Sequence, residues 1–61
     1  MNIDTRRFSV RADGGGAVQV RDRFAPYHLH RVPASSLPPV SALAAMTEAQ
    51  FDHAVSNAIY T

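Results

Sequence analysis

The fifteen residues MTEAQFDHAVSNAIY, residues 46–60, carry the clearest folding signal in the chain. Thr47 and Gln50 stand at the N-cap and N3 positions of a capping box, in which each side chain accepts a hydrogen bond from the other's backbone N–H. Met46 and Phe51 occupy the two positions of a hydrophobic staple. Glu48 adds a carboxylate to the first turn, where the helix dipole favours negative charge. Together these signals predict a helix capped by Thr47.

The residues behind this cap repeat with a helical period. Their apolar members form one stripe at spacings of three and four, namely Phe51, Ala54, Val55, Ala58 and Ile59. Residues 40–45 also favour helix. Two interpretations are open, a helix pair broken at Thr47 and one continuous helix from Pro39 to Tyr60. We favour the break, because a cap and a staple serve no purpose inside a helix.

Two alternating stretches flank a run of three glycines. Residues 7–12 and 17–24 alternate polar and apolar side chains, which is the pattern of half-buried strands. The Asp-Gly-Gly-Gly turn at residues 13–16 joins them, because glycine reaches positive φ without steric cost. This pattern predicts a β-hairpin. Residues 27–32 alternate again and predict a short third strand, which Pro33 ends.

The hairpin register has two solutions. The apolar residues of both strands must share one face, which requires a three-residue loop. A loop over residues 14–16 pairs Val10 with Val20, whereas a loop over residues 13–15 pairs Val10 with Val18. We favour the second register, because it opposes more apolar residues along the ladder.

Either register gathers the polar side chains of the hairpin on the opposite face, and Arg23 joins them if the second strand continues to it. These are the predicted partner-binding residues: Arg7, Ser9, Arg11, Gln19, Arg21 and Arg23. All six basic residues of the chain are arginines. Residues 1–31 carry six arginines and three aspartates, whereas residues 32–61 carry two acidic residues and no basic one. This asymmetry predicts an anionic partner for the first half of the chain.

The expected fold class is α+β: a small antiparallel β-hairpin or three-stranded sheet covered on one face by a C-terminal helix. The 61 residues are expected to form a single small domain. It divides into a frayed N-terminus (1–5), the sheet (6–32), a proline-rich connector (33–39) and the helical part (40–60). The predicted core is Phe8, Val10, Val18, Val20, Leu29, Leu43, Phe51, Val55 and Ile59. So thin a core predicts a homodimer or a subunit of a larger assembly.

Little in the sequence points to catalysis or to a cofactor. The chain has no cysteine, which excludes disulfides and thiolate chemistry. His28 and His30 could hold a metal together with His53, although exposed strand histidines are the simpler interpretation. No nucleophile motif and no phosphate loop is found, so we expect no enzyme and no cofactor. No apolar segment resembles a signal peptide or a membrane span, which favours the cytoplasm.

The function expected from these features is non-enzymatic binding. The protein would occlude a surface of a larger protein or complex through its arginine-bearing ribbon, for example as an inhibitor or regulator of nucleic-acid machinery. The alternative is a β-ribbon DNA- or RNA-binding protein, dimeric, whose arginines read guanine and grip phosphate in the major groove. The isoelectric point of about 8.4 is below the value above 9 that is typical of nucleic-acid domains, so the protein partner comes first.

Overall fold

The computed structural model describes residues 1–25 and 29–60, and within them the chain forms a four-stranded antiparallel sheet followed by two helices. The strands lie in sequence order: β1 (Asn2–Asp4), β2 (Phe8–Ala12), β3 (Ala17–Asp22) and β4 (Leu29–Pro33). A 3-10 turn at Ala34–Ser36 leads to the helices α1 (Val40–Ala45) and α2 (Glu48–Tyr60). The α+β class is confirmed, and the sheet has one strand more than the three expected.

The additional strand is β1, so the prediction of a frayed N-terminus is wrong. β1 pairs with β2, and Ile3 lies opposite Val10. The side chain of Ile3 packs against the core, and the backbone N–H of Ala12 donates to Met1 O at 3.2 Å. A terminal segment is ordered when burial and hydrogen bonds hold it in place, and both are present here.

The hairpin between β2 and β3 adopts the register that we disfavoured. Val10 lies opposite Val20, and Phe8 lies opposite Asp22. The loop is therefore residues 14–16, and its first and third glycines have positive φ of 81° and 78°. Gly14 occupies the first loop position, where the positive φ would strain a residue that carries a side chain. The number of opposed apolar residues was a poor criterion for choosing the register. Asp22 can lie buried opposite Phe8 because its carboxylate is fully partnered, as described below.

The start of α2 follows the sequence closely. The backbone N–H of Gln50 donates to Thr47 Oγ1 at 3.2 Å, and the Thr47 N–H donates to Gln50 Oε1 at 3.0 Å, so the capping box is confirmed. α1 ends at Ala45, and Met46 between the helices is extended and packs against the core. The broken helix is confirmed and the continuous helix is wrong. Neither α1 nor α2 is long and apolar enough to cross a membrane.

The core lies between one face of the sheet and the helices. Its buried side chains come from β2, β3, the connector and both helices, and they are Phe8, Val10, Val18, Val20, Leu37, Leu43, Phe51 and Val55. One predicted member is wrong, because Leu29 is 57 % exposed. Ile59 is only partly buried, but it packs against the core as predicted. The register of β4 turns His30 and Val32 inward and therefore Leu29 outward. Leu37 enters the core from the predicted connector.

The third predicted strand corresponds in part to β4. β4 begins at Leu29 and includes Pro33, which we had assigned to the connector. Residues 27 and 28 of the predicted strand lie outside the described residues. Pro33 is tolerated because it is at the outer edge of the sheet, where a missing N–H removes no ladder bond.

The turn between β1 and β2 is fastened to the start of α2. Thr5 Oγ1 donates to Asp52 Oδ1 at 2.7 Å and accepts from the Phe8 N–H at 2.9 Å. The Arg6 N–H donates to Glu48 Oε2 at 3.0 Å. The two acidic residues of the second half of the chain therefore serve internal contacts that hold the helix over the sheet.

Candidate binding surface

One face of the sheet is left uncovered by α1 and α2, and we call it the open face. Its side chains alternate with those of the core and belong to Asn2, Asp4, Ser9, Arg11, Gln19, Arg21, Leu29 and Arg31. Opposed residues of antiparallel strands point to the same side, so the pairing sets these side chains in two rows. One row runs Asp4, Ser9, Arg21, Leu29, and the other runs Asn2, Arg11, Gln19, Arg31.

Asp4 joins two arginines at the β1 side of the open face. Its carboxylate lies 2.9 Å from Arg11 Nη2 and 3.4 Å from Arg23 Nη2. Arg23 also donates to the Thr5 carbonyl at 3.0 Å. A hydrogen bond from Ser9 is the main factor that lowers the pKa of Asp4, and Arg11 and Arg23 lower it further. These pairs are exposed, so they orient the arginines more than they stabilise the fold.

Asp13 plays the same part at the β4 side. Arg31 Nε donates to Asp13 Oδ2 at 2.6 Å, and the Gly15 N–H donates to Oδ1 at 2.9 Å. The Gly15 N–H is the main cause of a lowered pKa at Asp13, followed by Arg31. This carboxylate therefore ties the glycine loop to the outer strand and fixes the direction of the Arg31 side chain.

Arg21 is the one arginine of the open face that has no ion pair with another described residue. It lies on the inner strand β3 between Ser9 and Leu29, and it is exposed. Its guanidinium has no ion pair or hydrogen bond with any residue in the ranges 1–25 and 29–60. Arg23 and Asp13 are counted with the open face, because they pair with Asp4 and Arg31 at its margins. The surface then has a net charge of +2, from four arginines (Arg11, Arg21, Arg23 and Arg31) against two aspartates (Asp4 and Asp13).

Arg7 does not belong to this surface, so its predicted place beside Arg11 and Arg21 is wrong. It donates from Nε and Nη2 to the Asp22 carboxylate at 3.3 and 3.1 Å. Its guanidinium also lies 4.8 Å from the centre of the Phe8 ring. β2 begins at Phe8, so Arg7 lies in the bend between β1 and β2. Because Arg7 is outside the strand, its side chain need not point to the face that the alternation predicts. It points instead to the only buried carboxylate among the described residues.

That carboxylate, on Asp22, is 1 % exposed and lies on the covered face. In addition to Arg7, it accepts from the Tyr60 hydroxyl at 2.6 Å and from the Phe24 N–H at 3.0 Å. Burial would raise the pKa of Asp22, but the hydrogen bonds from Arg7, Tyr60 and the Phe24 N–H outweigh it and lower this pKa to about 2. Donation to Asp22 is in turn the main cause of a raised pKa at Tyr60. Asp22 is thus ionised at neutral pH and links the end of α2 to the sheet.

Sequence reasoning missed several members of the open face. Leu29 was assigned to the core and Arg31 to no site, although residues 27–32 held the necessary signal. Leu29 and Val32 have opposite parity in that stretch, so only one of them could face the core, and Arg31 has the parity of Leu29. Asp4 had no such signal, because its place depends on β1 pairing with β2.

The three histidines do not form a site within the described structure. His30 faces inward and meets the Tyr60 ring edge-on, with the ring centres 5.2 Å apart. His53 is exposed on α2, where its Nε2 lies 3.2 Å from Asn57 Nδ2. His28 lies outside the described residues. Among residues 1–25 and 29–60, no group of three or more histidine, aspartate or glutamate side chains is placed to hold a metal ion.

Comparison with known proteins identifies no relative: no family model matches the chain, and neither the curated proteins nor the solved structures give a match. Function must therefore be inferred from the open face itself. Its features, within the described residues, are a central arginine without an ion pair, arginine–carboxylate contacts at both margins, and an exposed leucine beside that arginine.

Proposed function

We propose that the protein is a small non-enzymatic interaction protein that binds and occludes an acidic surface of a larger protein or complex with its open face. The observation that carries this proposal is Arg21, whose exposed guanidinium lies at the middle of the uncovered face and has no ion pair with another described residue. Arginine is enriched in binding hot spots because it combines several directed donors with an apolar stem. A carboxylate of the partner can pair with Arg21 without breaking an ion pair or hydrogen bond among the described residues.

The arrangement around Arg21 favours tight and oriented binding. Asp4 and Asp13 hold the neighbouring arginines in fixed directions, so less side-chain entropy is lost when a partner arrives. Leu29 beside Arg21 offers apolar surface that a partner can bury. The net positive charge of the surface would speed encounter with an acidic protein. An inhibitor or regulator of nucleic-acid machinery is one kind of protein that would work in this way.

A protein partner fits the open face better than nucleic acid does. Three of its four arginines are already paired with carboxylates, which weakens the attraction to closely spaced phosphates. The described open face also carries no aromatic side chain on which a base could stack. Two copies of the open face would repel each other, so the expected homodimer would require a different surface.

Capture of partners from a lysate of cells that produce the protein tests the proposal. Wild-type bait is compared with Arg21→Glu and with the matched control Arg6→Glu. Arg6 is also exposed, and its guanidinium has no partner among the described residues, but it lies outside the open face. We expect a specific protein to be captured by wild type and by Arg6→Glu and to be lost with Arg21→Glu. Equal capture by the two variants would contradict the proposal.

Binding of labelled duplex and single-stranded DNA and RNA over a salt series tests the alternative. The open face predicts weak binding that disappears at moderate salt. Submicromolar binding with a steep salt slope, lowered by about one when Arg21 is removed, would instead favour the β-ribbon nucleic-acid binder.

A further inference from the structure

The two outer strands of the sheet are not equivalent. β1 has three residues, and Asp4 at its end is engaged with Arg11 and Arg23. β4 has five residues, and a partly exposed side chain alternates with exposed ones along it. An unpaired outer strand presents a row of backbone donors and acceptors that another strand can use. β4 is therefore the outer strand with more backbone groups available for pairing with another strand.

The hydrogen-bond phase of β4 shows which groups are available. The Ala34 N–H donates to Gly16 O at 3.0 Å, and residues paired to β3 by hydrogen bonds must alternate from that point. His30 and Val32 consequently turn their N–H and C=O groups toward β3. Leu29 and Arg31 turn theirs to the free edge, and no hydrogen bond from another described part of the chain reaches them.

The side chains at this edge belong to the open face. Leu29 is 57 % exposed, and the Arg31 side chain is 62 % exposed. Arg31 uses only Nε in its bond to Asp13, so both of its Nη atoms remain available. One apolar and one cationic side chain thus lie two residues apart on the same side of β4, whose outer edge is not paired with another described strand.

We propose that β4 receives an extended acidic segment of the partner as a fifth, antiparallel strand of the sheet. This inference rests on the proposed function and specifies its binding mode. The segment places an acidic residue opposite Arg31 and an apolar residue opposite Leu29. Because the strands run antiparallel, it reads acidic, any residue, apolar from its N-terminus to its C-terminus. Main-chain hydrogen bonds give the affinity and these two side chains give the specificity.

A second copy of the chain fits this edge less well. Antiparallel pairing centred on Arg31 would oppose the two Arg31 guanidinium groups, which is unfavourable. Pairing centred on His30 would oppose Leu29 with Arg31, which matches neither side chain. An edge arginine discourages such self-pairing and attracts an acidic strand, so the charge of Arg31 selects the occupant.

Two synthetic peptides of identical composition provide the first test. One repeats glutamate, threonine, isoleucine and threonine in that order, and the other has the same residues scrambled so that the alternation is lost. We expect the alternating peptide to bind about tenfold more tightly, because only this peptide places an acidic side chain opposite Arg31 and an apolar side chain opposite Leu29 on the same face, and two cross-strand pairs give an effect of that order. Equal binding, or binding of neither peptide, would overturn the proposal.

Amide hydrogen exchange locates the contact on the chain. In the free protein, the outward N–H groups of Leu29 and Arg31 should exchange quickly, and those of His30 and Val32 should exchange slowly. Binding of the alternating peptide should slow exchange of the Leu29 and Arg31 N–H groups about tenfold or more. Exchange of the His30 and Val32 N–H groups should remain slow, as in the free protein. Absence of protection at Leu29 and Arg31 would overturn strand addition.

Two substitutions at one position separate the backbone from the side chain. Arg31→Ala and Arg31→Pro both remove the guanidinium, but only proline removes the outward N–H. Proline is compatible with this edge, as Pro33 in the same strand shows. We expect Arg31→Pro to bind the alternating peptide about fivefold more weakly than Arg31→Ala. Equal affinities would mean that the N–H is not used, and if Arg31→Pro fails to fold, exchange on the wild type decides.

The outcomes distinguish this inference from the proposed function. If partner capture depends on Arg21 but Leu29 and Arg31 remain unprotected, the open face binds an acidic surface without adding a strand. If capture is the same for Arg21→Glu and Arg6→Glu, the proposed function itself fails. Concentration-dependent protection of Leu29 and Arg31 in the protein alone would show that a second copy occupies the edge, which also overturns the inference.

Discussion

The two faces of the sheet carry charge in opposite ways. On the covered face, the only buried charged residue among the described residues is Asp22, and its carboxylate accepts from Arg7, the Tyr60 hydroxyl and the Phe24 N–H. On the open face, charged groups are exposed and one of them, Arg21, has no partner there. A charge that is buried must be fully satisfied for the fold to exist, whereas an exposed charge can be exchanged between partners.

The contrast explains why two arginines of similar sequence context have different roles. Arg7 and Arg21 both belong to the strand-like alternation of the sequence. Arg7 compensates the buried carboxylate of Asp22 and packs on Phe8, so its loss should damage the fold. Arg21 meets solvent, so its loss should damage only binding. Substitutions on the two faces can therefore break or sharpen this division.

The largest effect is expected for adjacent residues that point to opposite faces. Phe8→Ala removes a fully buried ring and should cost about 3–5 kcal/mol of unfolding free energy. A chain of this size has on the order of 3–9 kcal/mol in total, so much of the variant should be unfolded at room temperature. Ser9→Ala on the open face is the control and should change stability by about 0.5 kcal/mol or less. Urea unfolding followed by circular dichroism measures both, and similar losses would contradict the division of the faces.

The next effect concerns the buried charge. Asp22→Asn keeps the shape of the side chain but leaves Arg7 without its counter-ion, and it should cost about 3 kcal/mol at neutral pH. Asp4→Asn, on the open face, breaks exposed ion pairs and should cost much less. If urea midpoints of the two variants agree, the buried network contributes no more than a surface pair.

The pH dependence of the same variant follows from the lowered pKa of Asp22. A carboxyl whose pKa falls from 3.8 unfolded to about 2 folded stabilises the protein fully above pH 4 and loses that contribution as the pH falls toward 2. The lowering corresponds to about 2 kcal/mol. The stability difference between wild type and Asp22→Asn should therefore shrink by about that amount between pH 5 and pH 2. A difference that is constant or grows in acid would show that Asp22 is not held as an anion.

The sequence predicted well what depends on near neighbours. The capping box at Thr47 and Gln50, the break before α2 and the alternation of β2 and β3 all rest on residues a few positions apart. These local signals were sufficient to place the helix and to separate one sheet face from the other. The part of the open face that lies on β2 and β3, namely Ser9, Arg11, Gln19 and Arg21, followed from the alternation alone.

What the sequence did not reveal depends on distant partners. The hairpin register places Asp22 opposite Phe8, and this is acceptable because Tyr60, 38 positions later, donates to that carboxylate. β1 forms because Ile3 reaches a core that is assembled from the whole chain. The position of Leu29 depends on the pairing of β4 with β3. None of these contacts has a signature within a short window of sequence.

A smaller effect tests how far the cover of the inner face depends on the helix itself. Thr47→Ala removes the side-chain cap of α2, which should cost about 1 kcal/mol. Ser41→Ala is the control, because Ser41 is exposed within α1 and has no cap position. Thermal unfolding of both variants gives the comparison. If the thermal stability of Thr47→Ala equals that of the wild type, packing on the sheet, and not the cap, determines where α2 begins.

The smallest effect on stability is expected at Arg21, and it is the most informative. Arg21→Ala should change the unfolding free energy by about 0.5 kcal/mol or less, because the guanidinium is exposed and has no ion pair or hydrogen bond with the described residues. It could even stabilise the sheet slightly, since it relieves repulsion from the neighbouring arginines. Arg7→Ala, the matched control, should lower the urea midpoint clearly because Asp22 then lacks its cation. If Arg21→Ala destabilises as much as Arg7→Ala, Arg21 supports the fold, and partner loss in that variant would no longer indicate a binding residue. If Arg21→Ala keeps its stability and loses partner capture, Arg21 acts in binding and not in the fold.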